Sequence, residues 1–242
     1  MGSTLKLVSV LLSLILFISV LSISGNEAQA STSLNYVTTA KTPLKASKSS
    51  KSKTLVTIKK GVKFQSNYKK GNWTQIVYKS KTGWVINKSL KKYSAGKGKV
   101  SGAITWQYNQ YIGTKADVGA DIVAFPIGGF KKIKVENVFS ATVSNSIANK
   151  YGLFSTRVNG FGNYSLSLPE GKYYILIKSS KTTRNPDEKI SSYVRTIMKK
   201  YTTNFKDDSI LGLHIYNHKI EKITIKKGDT VDISKDWGYT YF

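Results

Sequence analysis

Cysteine is absent from the 242 residues, histidine occurs twice, and 13 acidic side chains face 38 lysines and arginines. Without a thiol there is no disulfide, thiolate nucleophile, iron–sulfur cluster or cysteine-ligated zinc site. Two histidines leave little material for acid–base or metal chemistry. His214 and His218 stand four apart, but they fall in an alternating run, where strand rise separates them by about 13 Å. No glutamate lies between them, as the zinc-protease helix motif requires. The acidic neighbours Asp187 and Glu188, and Asp207 and Asp208, sit in loops, whereas glycosidic chemistry needs two carboxyls facing one bond. No nucleophile-elbow glycine pattern flanks a serine, and Gly96-x-Gly98 belongs to a linker. The expectation is a non-enzyme with no catalytic residues, no metal site and no cofactor.

What is present is lysine, small polar residues, 19 glycines, 15 tyrosines, 9 phenylalanines and 4 tryptophans, with a net charge of +25 and a pI near 10. This composition favours β-structure and a binding surface over an active site, and the length allows one or two domains. Residues 1–30 read as a signal peptide: Lys6, an apolar stretch over 7–23, a polar bend at Gly25-Asn26-Glu27, and the small-residue ending Ala28-Gln29-Ala30. The rival is an uncleaved anchor, but serines at 9, 13, 19, 22 and 24 dilute the apolar run. With no cysteine for a lipid anchor and no sorting motif in residues 238–242, the chain from Ser31 is expected to be secreted, extracellular and associated with the cell wall.

Charge is divided unevenly. Residues 31–98 hold sixteen lysines and no arginine, aspartate or glutamate, while residues 99–242 hold 21 basic and 12 acidic side chains. A domain without acids cannot form side-chain salt bridges of its own, and its self-repulsion costs stability. A solubilising coat is one explanation; a surface for polyanions is the favoured one.

In residues 31–93, short β-rich runs at 55–58, 62–65, 73–78 and 83–86 are separated by lysine–glycine turns. Strands this short suit a closed barrel. The segment resembles a bacterial SH3 domain of the cell-wall type. Tyr36-Val37-Thr38, Pro43-Leu44, Val56-Thr57-Ile58-Lys59-Lys60-Gly61, Trp73-Thr74-Gln75-Ile76, Gly83-Trp84-Val85 and Leu90 carry the resemblance. It departs from that family in the first loop. Residues 44–52, Leu44-Lys45-Ala46 and then six lysines and serines, lack the family's arginine and Gly-Pro turn, which implies a charged finger where a peptide groove would have a wall. Candidate ligand-binding residues are Lys45, Lys48, Lys59, Lys60, Tyr68, Lys69, Lys70 and Trp84. Strand tryptophans fill barrel cores by default; of the two, Trp84 is expected to be half-exposed, with Tyr68 solvent-facing.

Residues 94–98 read as a linker, and alternation restarts in 99–242. Val100-Ser101-Gly102, Asp117-Val118-Gly119-Ala120, Gly160-x-Gly162-Asn163-Tyr164 and Pro169-x-Gly171-Lys172-Tyr173 resemble the carboxypeptidase-regulatory or transthyretin-like β-sandwich, related to B-type adhesin repeats. Asn-Gly and Pro-x-Gly predict hairpins, and residues 128–150 read as a looser insertion. Ile190, Val194, Ile197, Met198 and Tyr201 predict one amphipathic helix over 188–201. Residues 211–216 read as a returning strand, and 222–225 with 230–233 as a closing hairpin. The resemblance implies an isopeptide pairing of Lys99 with Asp232, in the first and last strands. The expected fold class is mainly β: a small SH3-like barrel, then a prealbumin-like sandwich with one packed helix.

Two functions fit. One is a secreted, non-catalytic wall-binding protein of a Gram-positive bacterium, its lysine-rich barrel docking on anionic wall polymer or peptidoglycan. The other is a secreted accessory or inhibitor protein that binds a protein partner, with the charge incidental. Nucleic acid is disfavoured by the leader and the scarcity of arginine.

Overall fold

The computed structural model describes residues 35–203, 205 and 210–239; the expected leader and the Asp207, Asp208 pair lie outside them. The chain is mainly β. Its first eight strands are β1 (Asn35–Thr38), β2 (Thr42–Lys45), β3 (Thr54–Ile58), β4 (Lys63–Gln65), β5 (Lys69–Lys70), β6 (Trp73–Tyr78), β7 (Lys81–Ile86) and β8 (Leu90–Lys92). They form a three-stranded sheet, β4-β1-β8, and a five-stranded sheet, β3-β2-β7-β6-β5. Alternation sends Leu44, Ile58, Ile76 and Val85 inward, all fully buried, with Leu55, Val56, Phe64 and Leu90 around them. The β6–β7 turn is two residues long, and Lys79 and Ser80 both hold positive φ, at 48° and 61°, the twist that a tight hairpin requires.

The rest of the chain has three layers. Its strands are β9 (Lys97–Asn109), β10 (Gly113–Ala116), β11 (Asp121–Pro126), β12 (Ile133–Lys134), β13 (Phe154–Arg157), β14 (Asn163–Pro169), β15 (Gly171–Thr183), β16 (Thr202–Thr203), β17 (Tyr216–Ile225), β18 (Thr230–Asp232) and β19 (Lys235–Tyr239). Long β9 centres one sheet, antiparallel to β10 and β14 and parallel to β18 and β19; the second sheet runs β13-β11-β15-β17. Between the sheets lie Val100, Ile104, Ile122, Leu166, Tyr173, Ile175 and Ile177. The outer face of the second sheet is covered by helices α1 (Val135–Ser140), α2 (Asn145–Tyr151), α3 (Ser192–Tyr201) and α4 (Leu211–Ile215). Val123, Phe125 and Leu176 pack there against Val138, Val194, Met198, Tyr201 and Leu213. Strand β11 is therefore buried along its whole length, as its unbroken Ile122-Val123-Ala124-Phe125 run would have it.

Several expectations are corrected. There are four helices among the described residues, not one, because the outer face of β11 and β15 is apolar and must be covered. The expected loose insertion contains α1 and α2. Residues 211–215 are helix, so His214 stands on α4 and His218 on β17. Helix α3 does form, starting at Ser192, with the Ser191 hydroxyl accepting the Val194 amide at 3.2 Å. The predicted hairpins at Gly160 and Gly171 are corners between sheets: β13 and β15 lie in one sheet and β14 in the other. At the second corner the Tyr173 hydroxyl donates to the Pro169 carbonyl at 2.8 Å, fixing the chain as it changes sheets. The closing hairpin is split in the same way, β17 pairing with β15 and β18 with β9.

Barrel and sandwich meet backbone to backbone. The Asn67 amide donates to Gly129 O at 2.9 Å and the Gly129 amide to Gln65 O at 3.2 Å. Lys131 N donates to Asn67 Oδ1 at 2.9 Å, and Asn67 Nδ2 donates to Tyr151 O. Gln65 Nε2 donates to the Tyr173 hydroxyl at 2.8 Å. A Cβ at Gly128 would overlap Gln65 O, and one at Gly129 would overlap Gln75 O. Residues 94–98 are held as well: Gly96 and Glu170 exchange backbone and carboxylate hydrogen bonds, and Gly98 is wedged against Ile225 and Lys226.

Gly129→Ala should therefore lower stability by at least about 2 kcal/mol in denaturant unfolding, because backbone has to move. Gly160→Ala, which meets nothing, should stay within about 0.5 kcal/mol. Equal effects from the two would remove the docking account.

Candidate functional site

In β7, Gly83 and Val85 face the barrel interior, so Trp84 points outward. It is nevertheless only 9% exposed. Tyr68 packs against it, ring centres 5.2 Å apart at 61°, and the Lys48 ammonium lies over the indole at 5.5 Å. Lys48 reaches it from the β2–β3 loop, which closes on itself: Ala46 N donates to Lys53 O at 3.0 Å and Ser47 N to Ser52 Oγ at 2.9 Å. Lys70, on edge strand β5, adjoins Lys48. The Lys48 ammonium is held below the ordinary lysine value, first by desolvation and then by the charge of Lys70 and a hydrogen bond with it.

Four of the eight candidate residues, Lys48, Tyr68, Lys70 and Trp84, thus come together. Lys69 is next to them on β5 and exposed. Lys45 is spent inside its loop, donating to Ser52 O at 2.9 Å and Thr54 Oγ1 at 3.0 Å. Lys59 and Lys60 occupy the turn after β3, at the opposite end of the strand order from β5. Both residues are more covered than expected: Trp84 is buried and Tyr68 half-buried, because the loop and the aromatic pair cover the outer face of the sheet; Trp73 is the more exposed of the two tryptophans, half-buried and outside the apolar core.

With no carboxylate in residues 35–98, ammonium groups settle on rings and carbonyls. Lys63 lies over Tyr93 at 5.0 Å, Lys79 over Tyr78 at 5.9 Å, and Lys81 donates to Leu55 O at 3.0 Å. Sequence reasoning missed these pairs, of which Lys63–Tyr93 and Lys81–Leu55 join residues far apart in the chain. The sandwich behaves differently. Buried Asp121 takes Arg157 Nε at 3.0 Å, Lys178 Nζ at 3.0 Å and the Thr142 hydroxyl at 2.6 Å.

The isopeptide pairing is not set up. Lys99 and Asp232 are both exposed on adjacent strands, Lys99 opposite Thr230, and the Asp232 carboxylate accepts from Ser234. Among the described residues, no group of three or more His, Asp or Glu side chains is placed to hold a metal ion, and no helix is long and apolar enough to cross a membrane.

No family model matches the sequence, and no curated relative does. Two solved structures show a distant similarity. One is a proposed carbohydrate-binding protein from Pseudomonas aeruginosa, at 10% identity and a TM-score of 0.30, covering 59% of this chain and 91% of that one. The other is the minor pilin of the Gram-positive pathogen Streptococcus agalactiae, at 11% identity and a TM-score of 0.35, covering 87% of this chain and 84% of that one. Neither likeness bears on function at this distance.

Tyr68→Ala should uncover Trp84 and shift its emission to the red, while Trp84→Ala should cost about 3 kcal/mol or more; an unchanged spectrum in the first variant would contradict the packing. His218 is held below the ordinary histidine value, chiefly by burial, against the opposing bond to Tyr216 O. Its folded form resists protonation, so its contribution to stability is complete above the unfolded value near 6.5 and is lost as pH falls from there toward the lower folded value. His218→Gln should flatten the stability profile between pH 7 and 5; an unaltered slope would contradict this.

Proposed function

We propose that the chain is a non-catalytic, secreted binding protein whose lysine-rich barrel docks on an anionic polymer of the cell wall. The observation that carries this reading is the pairing of a 16-lysine, acid-free segment with a local cluster in which Lys48, lying over Trp84 of the Tyr68–Trp84 pair, is crowded by Lys70. Two adjacent ammoniums with no carboxylate between them repel each other. A polymer phosphate or carboxylate placed against both removes that repulsion and releases condensed counterions. Lysine offers a point charge without the bidentate fork of arginine, so the surface selects for charge density more than for the identity of the anion. The aromatic pair fixes where the charge sits.

A second reading, a sandwich that engages a protein partner, is favoured by one observation: Tyr108, Tyr111, Ile112 and Tyr239 are exposed on β9, the β9–β10 turn and β19.

Retention of the full chain on purified cell walls tests the first reading. Binding should fall steeply with salt, and removal of the anionic polymer should abolish it. Lys48→Gln with Lys70→Gln should weaken it several-fold and reduce the logarithmic salt slope by about 1–2. Retention that ignores salt, or that is lost only when Tyr111 and Ile112 are changed to serine, would replace this reading with the second.

A further inference from the structure

Beside the junction of barrel and sandwich lies a cleft of about 480 Å³, within the range of roughly 300–1,000 Å³ typical of small-molecule sites. Its lining shares no residue with the Lys48–Trp84 cluster. Lys63 of β4 stands on the barrel side. Lys172 of β15 stands on the sandwich side opposite Thr224 of β17, with Lys226 two residues further on. None of the three makes an ion pair among the described residues. The one carboxylate of the lining, Glu170, is already engaged: its oxygens accept the Gly96 amide at 3.3 Å and the Lys227 amide at 3.2 Å. Between the cations the surface is apolar and aromatic, formed by Phe64, Tyr93 and Ile127.

The walls are held in register by the junction itself. Gln65 lines the cleft and donates to the Tyr173 hydroxyl, which donates onward to Pro169 O; Ile127, also in the lining, donates its amide to Lys172 O at 2.8 Å. A site with fixed walls loses little freedom when it is filled.

We propose that this cleft binds an anionic saccharide, a sugar ring bearing a phosphate or a carboxylate. The anion meets Lys172 and Lys226 and draws Lys63 from its place over the Tyr93 ring, the sugar's flat C–H face covers Phe64 and the Tyr93 face so freed, and its hydroxyls meet Thr224 and water. A bare anion leaves the apolar surface uncovered, and a neutral sugar brings no counter-charge to three exposed lysines that outnumber the single Glu170 carboxylate of the lining. The site stands apart from polymer docking on the barrel face.

The test is calorimetric titration of the full chain at low salt with glucose 1-phosphate, glucuronate, glucose and inorganic phosphate. At least one of the two anionic sugars should bind saturably with one site per chain, and at least tenfold more tightly than glucose or inorganic phosphate. Which of the two binds identifies the anion. Lys172→Gln with Lys226→Gln should weaken binding at least tenfold with the melting temperature unchanged, and Lys48→Gln with Lys70→Gln should alter it less than twofold. Failure of both anionic sugars to bind, inorganic phosphate binding as tightly as the sugars (an adventitious ion only), or indifference to the cleft substitutions would each overturn the proposal. None of these outcomes touches the barrel-face reading, which is measured on wall retention.

Discussion

Backbone meets backbone at Gly128 and Gly129, and the seating of the barrel on the sandwich, with the cleft at their border, depends on that contact. Two residues without side chains let the segment after β11 lie directly on the carbonyls of Gln65 and Gln75. The polar groups brought in are satisfied by one another: amide to carbonyl across Asn67 and Gly129, and side chain to side chain from Gln65 to Tyr173. Such a contact gains little from apolar burial, but leaving its groups unpaired would cost about 1–3 kcal/mol each. The barrel is thereby held in one orientation on the sandwich, and the cleft at their border has fixed walls.

Charge is the second constraint, and it works against folding. No acid occurs between Glu27 and Asp117, so the barrel and the first two strands of the sandwich fold without a carboxylate. The molecule accommodates its ammoniums by placing them over Trp84, Tyr93 and Tyr78 and against the carbonyls of Ser52 and Leu55. These contacts are worth about 0.5–1 kcal/mol each at exposed sites, too little to neutralise sixteen positive charges. Asp121 shows the alternative used elsewhere in the same chain, a buried carboxylate with two cations on it. In the proposed reading, an external polyanion would supply to the barrel what Asp121 supplies to the sandwich.

The barrel strands were legible because alternation and lysine–glycine turns act over a few residues: Trp73-Thr74-Gln75-Ile76 and Gly83-Trp84-Val85 carry their own period. The exposure of Trp84 was not legible, since its cover comes from Lys48 and Tyr68, distant in sequence. Local signals also misled at the corners. Asn159-Gly160 and Pro169-Glu170-Gly171 turn the chain as their composition requires, but whether a turn closes a hairpin or changes sheets is settled by where Tyr164 and Tyr173 bury their rings. The short helices α1, α2 and α4 exist to cover β11 and β15, and their sequences hold too few turns for a helical period to stand out. The glycine junction left only two adjacent glycines as a trace, which read as loop.

The central claim is that a lysine surface on the barrel, not charge spread over the whole molecule, meets the polymer. It is tested most directly by reductive methylation of the full chain with and without purified anionic wall polymer, read lysine by lysine by mass spectrometry. The account predicts that Lys48, Lys69 and Lys70 are protected by polymer, while Lys134 and Lys219, which already pair with Glu136 and Glu221, are modified equally in both samples. Protection spread evenly over all lysines, or concentrated on the sandwich, would contradict it.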